Sequence, residues 1–386
     1  MQLIVNDNEL KTLCQNLEQK NFICVDLEFM RQHTYFAELC LIQVASENLS
    51  AVIDPLSKDI DLSPFFQLMQ NPDIIKVFHS GRQDIEILYN LTRQIPTPVF
   101  DTQIAASVAG FGESASYETL VKHILKQDID KSSRLSDWSK RPLTEKQISY
   151  ALSDVTHLVN IYLYLKSWLK QNNREDWIKD ETNNLCCENL YKIDPYESWQ
   201  KIKHRSHSPR FLTLLRELAA WREQRAALKN VPRHSFIKDD LLLSICADCP
   251  QTKEDLCNVR GIRQDLASGI IGSEIIEVIT KALTIDKKDY VTPPQIKDFS
   301  GTDNSLFEIL KLLLRIKAQE NKIVPKMLAT EDELKSFCLN GENVISSFPT
   351  WKQELFWQDA QKIKTGKTAI CYDNKSGHIK FVDLSK

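Results

Sequence analysis

The stretch FICVDLEFM, residues 22–30, decides how the rest of the chain is read. Its β-branched and aromatic content predicts a strand. Side chains in a strand alternate between faces, so Ile23, Val25, Leu27 and Phe29 share one face while Asp26 and Glu28 share the other. Like charges held that close repel, and burying them without partners is costly. Three arrangements offset the cost: local Arg or Lys partners, a solvent-facing edge strand, or a divalent cation between the carboxylates. The stretch alone does not choose among them.

The surroundings predict a sheet. ELCLIQVAS and LSAVIDP follow at short intervals, as strands of a meander do. LSPFFQLMQ predicts a helix. IIKVFH (74–79) is a compact apolar run ending at Ser80-Gly81, and RQDIEILYNL after it has helical periodicity. TPVFDTQIAASVAG predicts a short strand entering a helix. TEKQISYALSDVTHLVNIYLYLKSWLKQ predicts a long helix, with Thr144 as N-cap and Gln147 completing a capping box. A meander followed by strands alternating with helices predicts a mixed α/β sheet.

Beyond about residue 190 the strand signals vanish until the C-terminus. Two helical segments repeat: LAAWREQRAALKNVPRHSFIKDDLLLSIC (218–246) aligns with KLLLRIKAQENKIVPKMLATEDELKSFC (311–338). Arg222 matches Arg315, Val231-Pro232 matches Val324-Pro325 and Leu241 matches Leu334, each 93 residues apart; one gap brings Cys246 to Cys338. That interval predicts two small helical domains of similar fold rather than a solenoid. AICYDNKSGHIKFVDL at the end predicts a hairpin.

A chain of 386 residues suggests two or three domains. Hydrophobic residues at 42% and charged residues at 26% are an ordinary globular balance. An apolar run of about 18 residues is absent, which predicts no membrane span. MQLIVNDNELKTLCQ lacks the basic start and apolar core of a signal peptide. The ten cysteines show no framework, which suits a reducing cytoplasm. Cys246, Cys249 and Cys257 lack a fourth ligand at zinc spacing. Gly-rich phosphate loops are also absent. The net charge of −3 does not advertise nucleic-acid binding. Its distribution does more: ten Lys or Arg lie between Lys201 and Lys238, opposed by Glu217 and Glu223 and joined by His204, His207 and His234. This is a phosphate-binding face or a solvated helix face.

Three further acids bear on Asp26 and Glu28. Asp84 opens a helix after a strand, where the helix dipole favours it. Asp101 stands at a strand–helix junction, as an N-cap does. Tyr150 and Asp154 are four apart on one face of the long helix. Singly, each reads as structural. Together, Asp26, Glu28, Asp84 and Asp154 form a hard-oxygen set suited to Mg²⁺ or Mn²⁺. Two such ions about 4 Å apart activate water and stabilise a leaving oxygen at a phosphodiester.

In this order and context, VDLEF, HSGRQD and YALSD resemble the motifs of the DEDD exonuclease superfamily in its tyrosine branch. Over 1–373 the chain resembles the ribonuclease D family. RQHTYFAELCLIQVA, LVKHILKQDIDKSSRLSDWSKRPLTEKQISYA and the two helical repeats, which resemble paired HRDC domains, carry that likeness. Leu27 stands where Thr is common, and Ser116 where a glycine often precedes the tyrosine. The resemblance implies a ribonuclease H-like exonuclease domain over 1–172, connecting helices over 173–207, and HRDC-like all-α domains over 208–288 and 298–373, with a hairpin to 386. It implies a cytoplasmic, monomeric enzyme acting without a membrane, a 3′→5′ exoribonuclease that releases 5′-mononucleotides from tRNA precursors and small structured RNAs with 3′ tails. Asp26, Glu28 and Asp154 would hold one metal, Asp26 would bridge to a second served by Asp84 through its waters, and Tyr150 would orient the attacking water. Glu28 would also contact the terminal ribose.

Around that site, His79 is a neighbouring partner or a structural histidine, and Phe29 and Met30 wedge against a base or pack the core. Lys131, Trp138 and Arg141 are candidates for RNA contact, as are Arg216, Arg222, Arg225 and Lys229 in the first helical domain. The same metal site would serve a 3′→5′ DNA exonuclease. A catalytically silent RNA-binding protein is the remaining alternative, and it would be favoured by loss of a motif acid; none is missing.

Overall fold

A computed structural model describes residues 3–130, 132–206, 208–292, 302–375 and 377–384. Lys131 and His207 lie outside the described residues. The N-terminal part is a mixed sheet of β1 (Leu3–Ile4), β2 (Phe22–Met30), β3 (Glu38–Ser46), β4 (Leu49–Ile53), β5 (Ile75–Phe78) and β6 (Val99–Asp101) in the order β1-β4-β3-β2-β5-β6. The meander β2–β3–β4 is antiparallel, and β5 and β6 join it in parallel, as the sequence pattern predicts. The tiny β1 and the helix α1 (Asp7–Leu17) have no counterpart in the sequence reading. A two-residue strand is too short to show alternation.

Both faces of the sheet are covered. Ile23, Val25 and Leu27 pack beneath α1, α2 (Ser63–Gln70) and α3 (Arg82–Thr92), with Leu10, Phe65 and Ile85 in the same core. Phe22 and Cys24 point the other way and meet Val155, Leu158 and Tyr162. Those residues belong to the long helix α6 (Glu145–Gln171), which follows α4 (Thr102–Val108) and α5 (Tyr117–Leu120). Its capping box is formed by Thr144 and Gln147.

The segment entering α6 is bolted to the sheet. Arg141 donates to both oxygens of Asp54 at 2.7 Å, to the Cys40 carbonyl at 2.7 Å, and to the Trp138 and Lys140 carbonyls at 2.8 Å. Trp138 is 2% exposed and packs among Leu41, Val52 and Leu152. The expectation of RNA contact for these two residues is corrected here: one has no free N–H to offer a phosphate, and the other has no open ring face.

After α7 (Lys179–Leu185) the chain is helical. The helices α8 (Pro209–Leu228), α9 (Arg233–Phe236) and α10 (Asp239–Asp248), then α11 (Lys253–Cys257), α12 (Gln264–Ser268) and α13 (Ile270–Leu283), enclose one core. The helices α14 (Thr302–Asn321), α15 (Pro325–Leu328) and α16 (Glu331–Asn340) repeat the lengths of α8–α10, at 20, 4 and 10 residues, around a second core. The predicted terminal hairpin is present as β7 (Thr368–Asp373) and β8 (His378–Asp383).

The loop leaving β2 is fastened to the first helical unit. The Tyr35 and Phe36 N–H groups both donate to Asn230 Oδ1 at 3.1 Å, and the Tyr35 hydroxyl donates to Glu223 at 2.5 Å.

Removing the Arg141 side chain strands Asp54, whose side chain is only 8% exposed. Arg141→Ala should lower unfolding free energy by about 3 kcal/mol, as loss of one partner of a buried ion pair does. Urea denaturation of the variant beside the parent measures this. A change below about 1 kcal/mol, the value of a surface pair, would show that the clamp is peripheral.

Candidate active site

The acids meet because of where the strands stop. β2 pairs with β3 almost throughout, yet with β5 only through Phe22, Ile23 and Cys24. Asp26 and Glu28 therefore stand on the part of β2 that runs on past the end of β5, the position where open α/β sheets form crevices. They continue the Phe22–Cys24 face and look toward α6. The turn from β5 into α3 is tight. Ser80 is left-handed at φ 59°, and a Cβ on Gly81 would collide with the Phe78 side chain. Asp101 caps α4 and also accepts the Ser80 and Gly81 N–H groups at 3.1 and 2.8 Å. This turn delivers Asp84, on the first turn of α3, to Asp26.

Asp154 descends from α6 to complete the group. Oxygen atoms of Asp26, Glu28 and Asp154 lie within 4.8 Å of one another. Asp84 is 8% exposed and close enough to Asp26 for each to feel the other's charge. The Leu27 backbone amide favours the charged forms of both Asp26 and Asp84, against the effect of burial. Tyr150, one turn before Asp154, donates its hydroxyl to the Asp154 carboxylate. Burial and the surrounding acids push that phenol well above its usual range, so it stays a neutral donor.

Burial pushes Asp26 up to about 6. Burial, then the charges of Asp26, Asp154 and Asp84, push Glu28 up to about 9. Burial and Asp26 push Asp154 to about 8 against the Tyr150 hydrogen bond, and burial and Asp26 raise Asp84 well above the usual carboxylate range. Among the described residues no Lys or Arg forms an ion pair with any of the four acids, and the strand is not at a sheet edge. Arg134 tempers the charge on Glu28 and Asp154 through its field, without an ion pair. The residues present fit a hard divalent cation: several carboxylate oxygens converge, short of compensating charge, on one cavity.

That cavity, of about 380 Å³, is lined by Asp26, Glu28 and Asp154 together with His79, Tyr117, Arg134 and Tyr150, while Asp84 stands behind Asp26 and is not among the lining residues. Tyr117 has no role in the sequence reading, where it figures only as the tyrosine that Ser116 precedes in place of the family's glycine. Its hydroxyl donates to the Asp154 carbonyl and its ring lies 5.4 Å from that of His79. His79 Nδ1 pairs with Thr102 Oγ1 at 2.9 Å. Phe29 packs on the main core and Met30 beside Trp138, so neither wedges into the cavity. Arg134, one residue before LSDWSKRP, gives no sign of this position in the sequence, since a lone loop arginine carries no periodic signal.

Of the four RNA-contact candidates in the first helical unit, three are engaged by acids. Arg222 is 1% exposed and donates to Asp239 at 2.7 Å and to the Ile237 carbonyl at 2.9 Å. Its expected RNA contact is corrected: it is a core residue. Arg225 forks onto Glu274, and Arg216 pairs with Glu217 at 2.6 Å. Lys229 is exposed, over the Phe236 ring.

Each cluster acid has a folded value above its ordinary one, so the folded protein keeps protons that the unfolded chain has released. Its contribution to stability is full below about pH 4 and is lost as pH rises toward about 9. In chelator, the melting temperature should fall across that window. Added Mn²⁺ should raise it more at pH 8 than at pH 5, because cation and protons compete for the same oxygens. A calorimetric Mn²⁺ shift equal at both pH values would contradict this cluster as the binding site.

Comparison with known proteins agrees with this geometry. A 3′-5′ exonuclease family model matches residues 1–170, and an HRDC domain model matches 211–279. Ribonuclease D of Bartonella henselae is 40% identical over 97% of this chain and 92% of its own length. Ribonuclease D of Granulibacter bethesdensis is 38% identical over 97% of this chain and 95% of its own. The crystal structure of Escherichia coli RNase D, described as an exoribonuclease involved in structured RNA processing, superposes with a TM-score of 0.79 at 25% identity, covering 95% of this chain and 98% of that one. The likeness runs through the exonuclease sheet and the helical units alike, and the chain belongs to the ribonuclease D family.

Proposed function

We propose that this 3′→5′ exoribonuclease uses two divalent cations to hydrolyse the last phosphodiester of an RNA 3′ end, releasing 5′-mononucleotides. Its substrates are tRNA precursors and other small structured RNAs with 3′ tails. The observation that carries the reading is the convergence of Asp26, Glu28 and Asp154 within 4.8 Å. When bound there, the cations would supply an activated water and stabilise the leaving oxygen. Asp26, Glu28 and Asp154 would hold one cation, and Asp26 with Asp84 would serve the second. Tyr150 fixes the Asp154 carboxylate and orients the water that attacks the phosphorus. Glu28 also faces the terminal ribose. Structured RNA as the substrate is supported by the described role of the Escherichia coli relative.

A 5′-labelled RNA with a 3′ tail past a tRNA-like stem tests this. It should shorten one nucleotide at a time with Mg²⁺ and remain intact with chelator. Asp26→Asn and Asp154→Asn should each slow the reaction about 1,000-fold, the loss of several kcal/mol of charge stabilisation. Tyr150→Phe should slow it about 10- to 100-fold while Mn²⁺ binding, followed by calorimetry, is unchanged. A matched DNA strand should persist. DNA shortened at the same rate would make the enzyme a general 3′→5′ exonuclease.

A further inference from the structure

Ser133 to Ser136 form a tight turn beside the acidic cavity, closed by the Ser136 N–H donating to the Ser133 carbonyl at 3.0 Å. Its feet are anchored. Ser133 is 4% exposed on one side, and on the other Trp138 is 2% exposed next to the Arg141 clamp. The two central residues, Arg134 and Leu135, are pushed outward. Arg134 lines the cavity of Asp26, Glu28, Tyr150 and Asp154, and among the described lining residues it is the sole Lys or Arg. Its side chain is exposed, with no ion pair or hydrogen bond among the described residues. Leu135 is 96% exposed, an unusual position for a large apolar side chain.

We propose that this turn is an RNA-contact element, in which Arg134 binds a phosphate at or next to the scissile linkage and Leu135 lies against the adjoining sugar or base. The inference rests on the exoribonuclease reading above. An arginine fork presents parallel donors to phosphate oxygens. It also has nothing to gain by collapsing onto the acids once cations neutralise them. Its positive field already opposes the raised values of Glu28 and Asp154. The rigid feet keep the turn in place, so little ordering remains to be done when RNA arrives. Arg141, seven residues on, cannot share the task because its donors are occupied.

Equilibrium binding of single-stranded RNA to full-length Asp154→Asn, with and without Arg134→Gln, tests the phosphate contact across a salt series. Arg134→Gln should weaken binding about tenfold at low salt and reduce the slope of log affinity against log salt by about 0.7, the value of one phosphate on a single strand. In the otherwise unaltered enzyme it should raise KM about tenfold and change kcat little, since the phosphate is charged in ground and transition states alike. Arg134→Lys should restore the slope. Leu135→Ser should weaken binding about threefold with the slope unchanged. Melting temperature and its Mn²⁺ shift should be unaltered in all three. An unchanged slope in Arg134→Gln, or a lost Mn²⁺ shift, overturns the phosphate contact while the nuclease reading stands. Unchanged binding in Leu135→Ser overturns the apolar contact. If the unaltered enzyme shortens no RNA, both readings fall together.

Discussion

The mutual repulsion of buried carboxylates is the constraint on which the rest of the structure turns. Nothing in the sheet itself asks for Asp26 and Glu28. They are tolerated because β2 outruns β5 and opens a gap at that point, and because the strand is held firmly by β3 on its other side. The opposite face of β2 spends Ile23, Val25 and Leu27 on the main core. Burial on that face anchors a charge concentration on the other. The tight β5–α3 turn and the long α6 exist in the same relation, each bringing one more acid to a place that would expel it unless a cation were supplied. The folded protein is thus strained where it is to act, a pattern expected of functional sites.

Much of this was legible in the chain. Strand alternation at 22–30, the helical period after 82 and the capping box at Thr144 are local signals, and local signals are set by neighbours in sequence. The meander and the later parallel strands followed from them. The acids themselves were found by order and spacing, and three of the four converge as a ligand set in space. What stayed hidden was everything that depends on distant partners. A basic residue in a helix reads the same whether it faces solvent or an acid from another element. Arg222 and Arg141 looked like phosphate ligands, and tertiary structure made them core ties to Asp239 and Asp54. Tyr117 reaches the site by touching α6 far along the chain, which no periodicity records.

The two helical units show the same lesson at a larger scale. Their repeat was readable because the α8–α10 and α14–α16 lengths agree. Their surfaces are less alike than that agreement suggests. In the first unit the density of Lys and Arg is high, yet Arg216, Arg222 and Arg225 are tied up by Glu217, Asp239 and Glu274. Net local charge, not the count of cations, governs long-range attraction of a polyanion. Among the described residues, a cation that lines the catalytic cavity comes instead from a turn of the exonuclease domain.

The fastening of the β2–β3 loop to α8 has a consequence for how such enzymes can be rebuilt. The Tyr35 and Phe36 amides have their acceptor in Asn230, nearly two hundred positions downstream. The exonuclease part is thereby tied to the first helical unit through one loop. Joined to a foreign partner, it would hand two exposed amides to water and leave a half-buried phenol without its carboxylate, a few residues from its own ligand strand. A chimera that carries the α8 end along with the sheet keeps all three contacts.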